Sequence, residues 1–317
     1  MMRFSSLHIA SFVLAVATSS LHAEDDAMEM KVLKGAEHKD RVVDQAAVAI
    51  QREGIRRIEK LLNGKLPEQK ESDLNFQLGI ARLEAAAIQF RISHEKAHRG
   101  NGKLDLSAYN KEMEQAVVVL TRFLTRFPKD PRTPEVLFMR GTAHDESKNR
   151  VQARKDFEDL WKRFPEVPET SPALMRLAEL AVEDEDHARA VRYLAPLEKR
   201  PDDAHYPFAL YKLAWAQFNL GNIRSALDYI GKHIKFYDDR FHKYGNLESS
   251  EMAMRENSLK DISLFYFEGI QKDVSGFGLE KSFKEFQNYA GINPTDLTVV
   301  RFTALLRTRN NDSELTR

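Results

Sequence analysis

Phe123–Gly141 reads FLTRFPKDPRTPEVLFMRG and Asp159–Glu179 reads DLWKRFPEVPETSPALMRLAE. Each stretch carries Arg-Phe-Pro, then a short proline-bearing link, then an apolar run of helical character. Proline has no amide hydrogen to give and clashes with the preceding turn, so each Arg-Phe-Pro predicts the end of one helix before the next begins. A finer pattern surrounds them: a small residue, a large apolar residue four further on, and Pro eight after that. It reads Ala153, Phe157, Pro165, and recurs as Ala116, Leu120, Pro128 and as Ser282, Phe286, Pro294. Ala190 with Leu194 and Ala226 with Ile230 repeat its first two elements. The small residues Ala116, Ala153, Ala190 and Ala226 are spaced 37, 37 and 36 apart. Gly141, Ala178 and Ala214 stand 12 residues before three of them, and Leu137, Leu174 and Leu210 four residues earlier still. Two antiparallel helices approach closely only where side chains are small, and the bulky residues then fill the space between neighbouring pairs. The pattern therefore predicts a chain of helical hairpins.

This pattern resembles the tetratricopeptide repeat, a 34-residue helix–turn–helix with a bulky residue, then Leu-Gly, then Ala-x3-Phe, then Pro. The resemblance covers roughly residues 40–294, with three clear central units at 131–167, 168–204 and 205–243. The periods are longer than 34, and the long proline-bearing links look most like the repeat proteins of the bacterial cell envelope: outer-membrane assembly, Tol-Pal-associated and gliding-motility types. The resemblance implies an all-α, tetratricopeptide-like solenoid, a superhelix of antiparallel helix pairs.

Composition agrees. The 317 residues include only 14 Gly and 11 Pro, too few for a sandwich or barrel with many tight turns. Lys+Arg and Asp+Glu both number 48, so no global charge draws the chain to nucleic acid, and no dense basic block supplies a local pull. The absence of Cys excludes disulfides, cysteine-ligated zinc, iron–sulfur clusters, thiol nucleophiles and lipid attachment at cysteine.

The first 23 residues, MMRFSSLHIASFVLAVATSSLHA, have the order of a secretory signal: Arg3, an apolar run from about Ile9 to Ala17, then small residues to Ala23. The run falls short of the about 20 residues that cross a bilayer. The expected map is a signal peptide over 1–23, a flexible leader over 24–36, a repeat domain over 37–296, and a capping helix with a disordered tail over 297–317. The expected location is the periplasm, with no lipid anchor and no membrane span after signal cleavage. Gly79 to Ala116 is 37 residues where other units use 12, which places a 25-residue insertion within about 92–112. Insertions in repeat arrays often carry function.

That insertion contains His94-Glu95-Lys96-Ala97-His98, a literal H-E-x-x-H. Zinc proteases use this spacing because two His four apart share a helical face while Glu activates a bound water. Here Asn101 stands where the longer variant needs Gly, and nothing singles out Glu112 or Glu114 as a third ligand. The plainer reading is a solvated helix end with His near the C-terminal dipole. G-x-S-x-G, Walker A and G-x-G-x-x-G are absent, so neither an enzyme nor a cofactor is expected.

The resemblance implies a better site. In tetratricopeptide families the first helix of each unit lines a concave face. Its outward positions in the third clear unit are Phe208, Tyr211, Trp215, Phe218 and Asn219. The same positions earlier include Glu135, Phe138, Asp145 and Glu146, then Met175, Glu179 and Glu183. The expected groove is aromatic at one end and acidic along the rest, and would hold a protein or peptide partner of the cell envelope. An aromatic stripe also packs well against a neighbouring hairpin, and that alternative carries equal weight. A scaffold or adaptor is thus the first expectation. A zinc protease through His94 and His98, or a glycan binder of the cell wall, are the alternatives.

Overall fold

The computed structural model describes residues 46–100, 103–272, 277–278, 281–282 and 284–286. The signal, the leader and the capping segment lie outside the described residues. Among the described residues the fold is all-α, with no strand. Helix α1 covers 46–62. It is followed by α2 (Glu68–Gly100), α3 (Ser107–Arg126), α4 (Thr133–Glu146), α5 (Arg150–Arg163), α6 (Thr170–Glu183), α7 (His187–Glu198), α8 (Tyr206–Asn219), α9 (Ile223–Tyr244) and α10 (Ser249–Gln271). The chain divides into two compact units between Pro165 and Glu166.

In the first unit α2 pairs with α3 and α4 with α5, and α3 packs on α4. The small positions sit where the helices touch. A Cβ on Gly79 would lie 2.6 Å from Leu120 Cδ2, and one on Gly141 would lie 2.6 Å from Phe157 Cε1. Ala116 and Ala153 are fully buried. Phe127 and Phe164 each end a helix in a non-helical conformation before the proline that follows. In the second unit α6–α7, α8–α9 and α9–α10 pair, and α7 packs on α8. Ala178, Ala190, Ala214 and Ala226 are buried, as are Leu174 and Leu210.

The insertion takes an unexpected form. It is not a separate excursion, because it lengthens both helices of its hairpin. Helix α2 has 33 residues and α3 has 20, against 14 and 14 for α4 and α5, an excess of 25. A recurrent clamp ties the first helix of a hairpin to the link that follows the second. Ser72 Oγ donates to Asp130 in the link after α3, and Ser171 Oγ donates to Asp203 in the link after α7. The first clamp spans 58 residues and the second 32. Arg132 closes the first clamp: its Nη2 donates to Ser72 Oγ at 2.8 Å and to Asp130 at 2.7 Å, and it holds the Asp130 carboxyl far below the usual range.

The tight turns inside the hairpins also repeat. Lys148, Glu185 and Gly221 have φ of 63°, 60° and 78°, one residue before Asn149, Asp186 and Asn222. Asn149 caps α5 by accepting from the Gln152 amide at 3.4 Å, and Asp186 caps α7 by accepting from the Arg189 amide at 2.8 Å. Only at the third turn is the left-handed residue glycine. A side chain there costs roughly 1–2 kcal/mol, partly offset by the freedom glycine has when unfolded. Glu185→Gly is therefore expected to stabilise the second unit by about 0.5–1 kcal/mol. A urea melt showing equal or lower stability would count against this account of the turn.

Candidate functional site

Helix α8 is where the expected groove is most developed. Its start is set by the link before it: Asp203 accepts from the His205 backbone amide at 2.8 Å and lies 3.0 Å from its Nδ1. Pro207 follows in the first turn, where a missing amide hydrogen is harmless. One side of α8 buries Ala209, Leu210, Leu213, Ala214 and Ala216 in the hairpin core. The other side carries the aromatic stripe.

Most of that stripe is not open. The Tyr211 hydroxyl donates to Asp261 Oδ2 of α10 at 2.6 Å, and Trp215 Nε1 donates to the same oxygen at 3.1 Å. Trp215 meets Phe265 edge-on at 5.3 Å, and Phe218 stacks on Phe265 at 4.5 Å and 19°. Phe265 is fully buried. Tyr211, Trp215 and Phe218 thus form the joint between α8 and α10, which corrects the expectation of a free aromatic wall. The reason is that α9 turns the chain back and lays α10 along the face that the hairpin partner of α8 leaves uncovered. Asn219 is exposed, and its side chain donates to the Trp215 carbonyl at 2.8 Å. Phe208 remains 41% exposed and is the most open aromatic of the stripe.

The acidic positions are also less bare than expected. In the second unit Glu179 lies 2.9 Å from Arg176 and 3.0 Å from Lys212 of α8, and Arg176 lies 3.6 Å from the exposed Glu183. In the first unit Phe138 is half-buried, 5.9 Å from Phe157. Asp145 is buried. Glu146 accepts from the Tyr109 hydroxyl, which burial above all, with that carboxylate, pushes up to about 12.

His94 and His98 are exposed in the last two turns of α2, with the His94 ring 4.3 Å from Phe90. Glu112, a conceivable third ligand, lies 2.8 Å from Arg82. Among the described residues no three His, Asp or Glu converge as a metal site would need.

Asp261 and His233 went unmarked in the sequence. Burial pushes the Asp261 carboxyl up, against the lowering by its two donors and by Lys260. His233 is fully buried between the rings of Tyr211 and Tyr237, with Nδ1 2.7 Å from Ser258 Oγ. Neither stands at a repeat position, so no periodicity points to them.

With the hairpins in place, comparison with known families is direct. A tetratricopeptide-repeat family model matches residues 135–166 and 208–239. The chain contains tetratricopeptide repeats. The matched segments coincide with the α4–α5 hairpin and with α8 and most of α9; in α6–α7, Ala178 and Ala190 are buried at the same spacing. Among solved structures, two forms of MamA are similar: a double mutant of the RS-1 protein, and residues 41 to the end of the protein from Desulfovibrio magneticus RS-1. They are 15% and 14% identical, with TM-scores of 0.38, covering 72% of this chain and 97% and 98% of theirs. A designed self-assembling cyclic homo-oligomer, 12% identical, covers 87% of this chain and 99% of its own at a TM-score of 0.25. No curated protein matches. At these scores the structural likenesses carry no functional argument.

Proposed function

We propose that this protein is a non-enzymatic scaffold that holds a segment of a partner protein against the first helices of its hairpins, as part of a cell-envelope assembly in the periplasm. Tetratricopeptide repeats support the coarse reading, because stacked hairpins present an extended surface suited to protein partners. The export-signal pattern of residues 1–23 supports the location, and no described helix is long and apolar enough to cross a membrane. The observation that carries the site is in the second unit. Lys212 of α8 reaches Glu179 of α6 at 3.0 Å, so the two first helices lie side by side on one face. That face leaves Phe208 41% and Val182 45% exposed beside the Arg176–Glu179–Lys212–Glu183 ion pairs. Apolar contacts ringed by paired charges have the make-up of a binding patch with a polar rim.

Phe208 tests this better than Trp215, whose removal would also loosen α10. A photo-crosslinking residue at Phe208 is expected to capture a discrete partner in intact cells, while one at the exposed Ala188 of α7 captures none. With that partner identified, Phe208→Ala should weaken its binding by tenfold or more, about 1.4 kcal/mol, at unchanged melting temperature. Crosslinks at Ala188 instead, or unaltered affinity, would defeat the assignment.

A further inference from the structure

Asp261 is a half-buried acid with no basic partner among the described residues. Its Oδ2 accepts both available donors, Tyr211 and Trp215, and both are neutral. Among the described residues its Oδ1 has no bonding partner and no basic group lies within salt-bridge distance; Lys260, next to it in the chain, acts only through its field. Several other carboxylates of this unit have a basic partner. Glu179 has Arg176 and Lys212, Glu198 has Lys232 at 2.6 Å, and Asp238 has Arg255 at 2.6 Å. Neutral donors offset the burial of a charge less well than a cation does, because charge-assisted bonds are about twice as strong. The flanking rings reinforce the preference, since aromatic faces attract cations.

We propose that Asp261, framed by Tyr211 and Trp215, is a socket for a basic side chain, arginine or lysine, carried by the partner's segment. The site lies on the stripe of α8, so the inference rests on the docking reading above and specifies its chemistry. Arginine or lysine would bond Oδ1 and supply the missing charge. The partner's segment is then basic and apolar in composition, as charge complementarity with an uncompensated acid demands.

The experiment uses the full chain carrying Trp161→Phe, which leaves Trp215 as the one tryptophan of two. The probes are two capped tripeptides, Phe-Arg-Leu and its neutral citrulline counterpart. Saturable change of Trp215 fluorescence with the arginine peptide, at least tenfold tighter than with citrulline, is the expected result. Asp261→Asn should abolish that discrimination without lowering the melting temperature. Equal affinity for the two peptides, no binding of either, or undiminished discrimination in Asp261→Asn would overturn the proposal. The peptide comparison in the unsubstituted socket decides the matter even if Asp261→Asn fails to fold. Crosslinking at Phe208 without arginine preference removes the socket alone, while arginine preference without any crosslink at Phe208 removes the wider docking face and leaves the socket standing.

Discussion

Phe157→Ala is expected to cost the first unit about 3–5 kcal/mol, the usual range for deleting a buried aromatic ring. Phe157 is 1% exposed and lies against the backbone of Gly141 at the crossing of α4 and α5. The more informative measurement is its coupling to that glycine. Gly141→Ala alone forces a methyl to within 2.6 Å of the ring, a contact that must be relieved by shifting a core side chain. Such overpacking costs about 1–3 kcal/mol. In the Phe157→Ala background the methyl meets no ring, and alanine's better helix propensity should make the same change favourable by about 0.5–1 kcal/mol. Urea unfolding of the two single variants and the double variant gives the interaction energy. Additive losses would mean that the glycine is not there to admit the ring.

Acidification is expected to weaken the second unit through His233. Burial lowers its pKa from 6.5 to about 4. The groups facing it are the Tyr211 and Tyr237 rings and the Ser258 hydroxyl, none of them charged. The unfolded chain takes up a proton below pH 6.5 and the folded chain only near 4, so the stabilising contribution is complete above about 6.5 and is lost as pH falls toward 4. The loss amounts to about 3 kcal/mol at one pH unit per 1.36 kcal/mol. Asp261 acts in the opposite sense. Its raised carboxyl takes its proton in the folded state first, so acidification through its range favours the fold. Comparing the native chain with His233→Leu isolates the histidine. The difference in unfolding free energy between pH 7 and pH 4.5 should shrink by about 2–3 kcal/mol in the variant. An unchanged difference would show that His233 is not the titrating group. Ser258 keeps a bond to the Met254 carbonyl at 3.1 Å, so the variant does not leave its hydroxyl unpaired.

Local patterning alone specifies the hairpins. Proline follows the ends of α3 and α5, small residues mark the hairpin crossings, and a bulky residue four positions after the second small residue fills them. Those features are local: Gly141 and Phe157 belong to adjacent helices joined by a three-residue turn. A repeat period records such contacts because every hairpin must make them. The spacing also pointed to an insertion, though not to its form. Twenty-five extra residues are the same count whether they loop out or lengthen α2 and α3, and only the packed helices distinguish the two. The aromatic stripe of α8 met the same limit. Tyr211, Trp215 and Phe218 have the spacing of an apolar face whether a ligand or another helix covers it. What covers them is α10, with Asp261 lying 50 residues from Tyr211 and 46 from Trp215. That contact falls outside the repeat, at a position no other hairpin uses, so periodicity carries no trace of it. Burial decides the rest. A carboxylate such as Asp261 reads as an ordinary surface acid until the tertiary structure takes it partly out of water, and only then does its missing cation become a chemical demand.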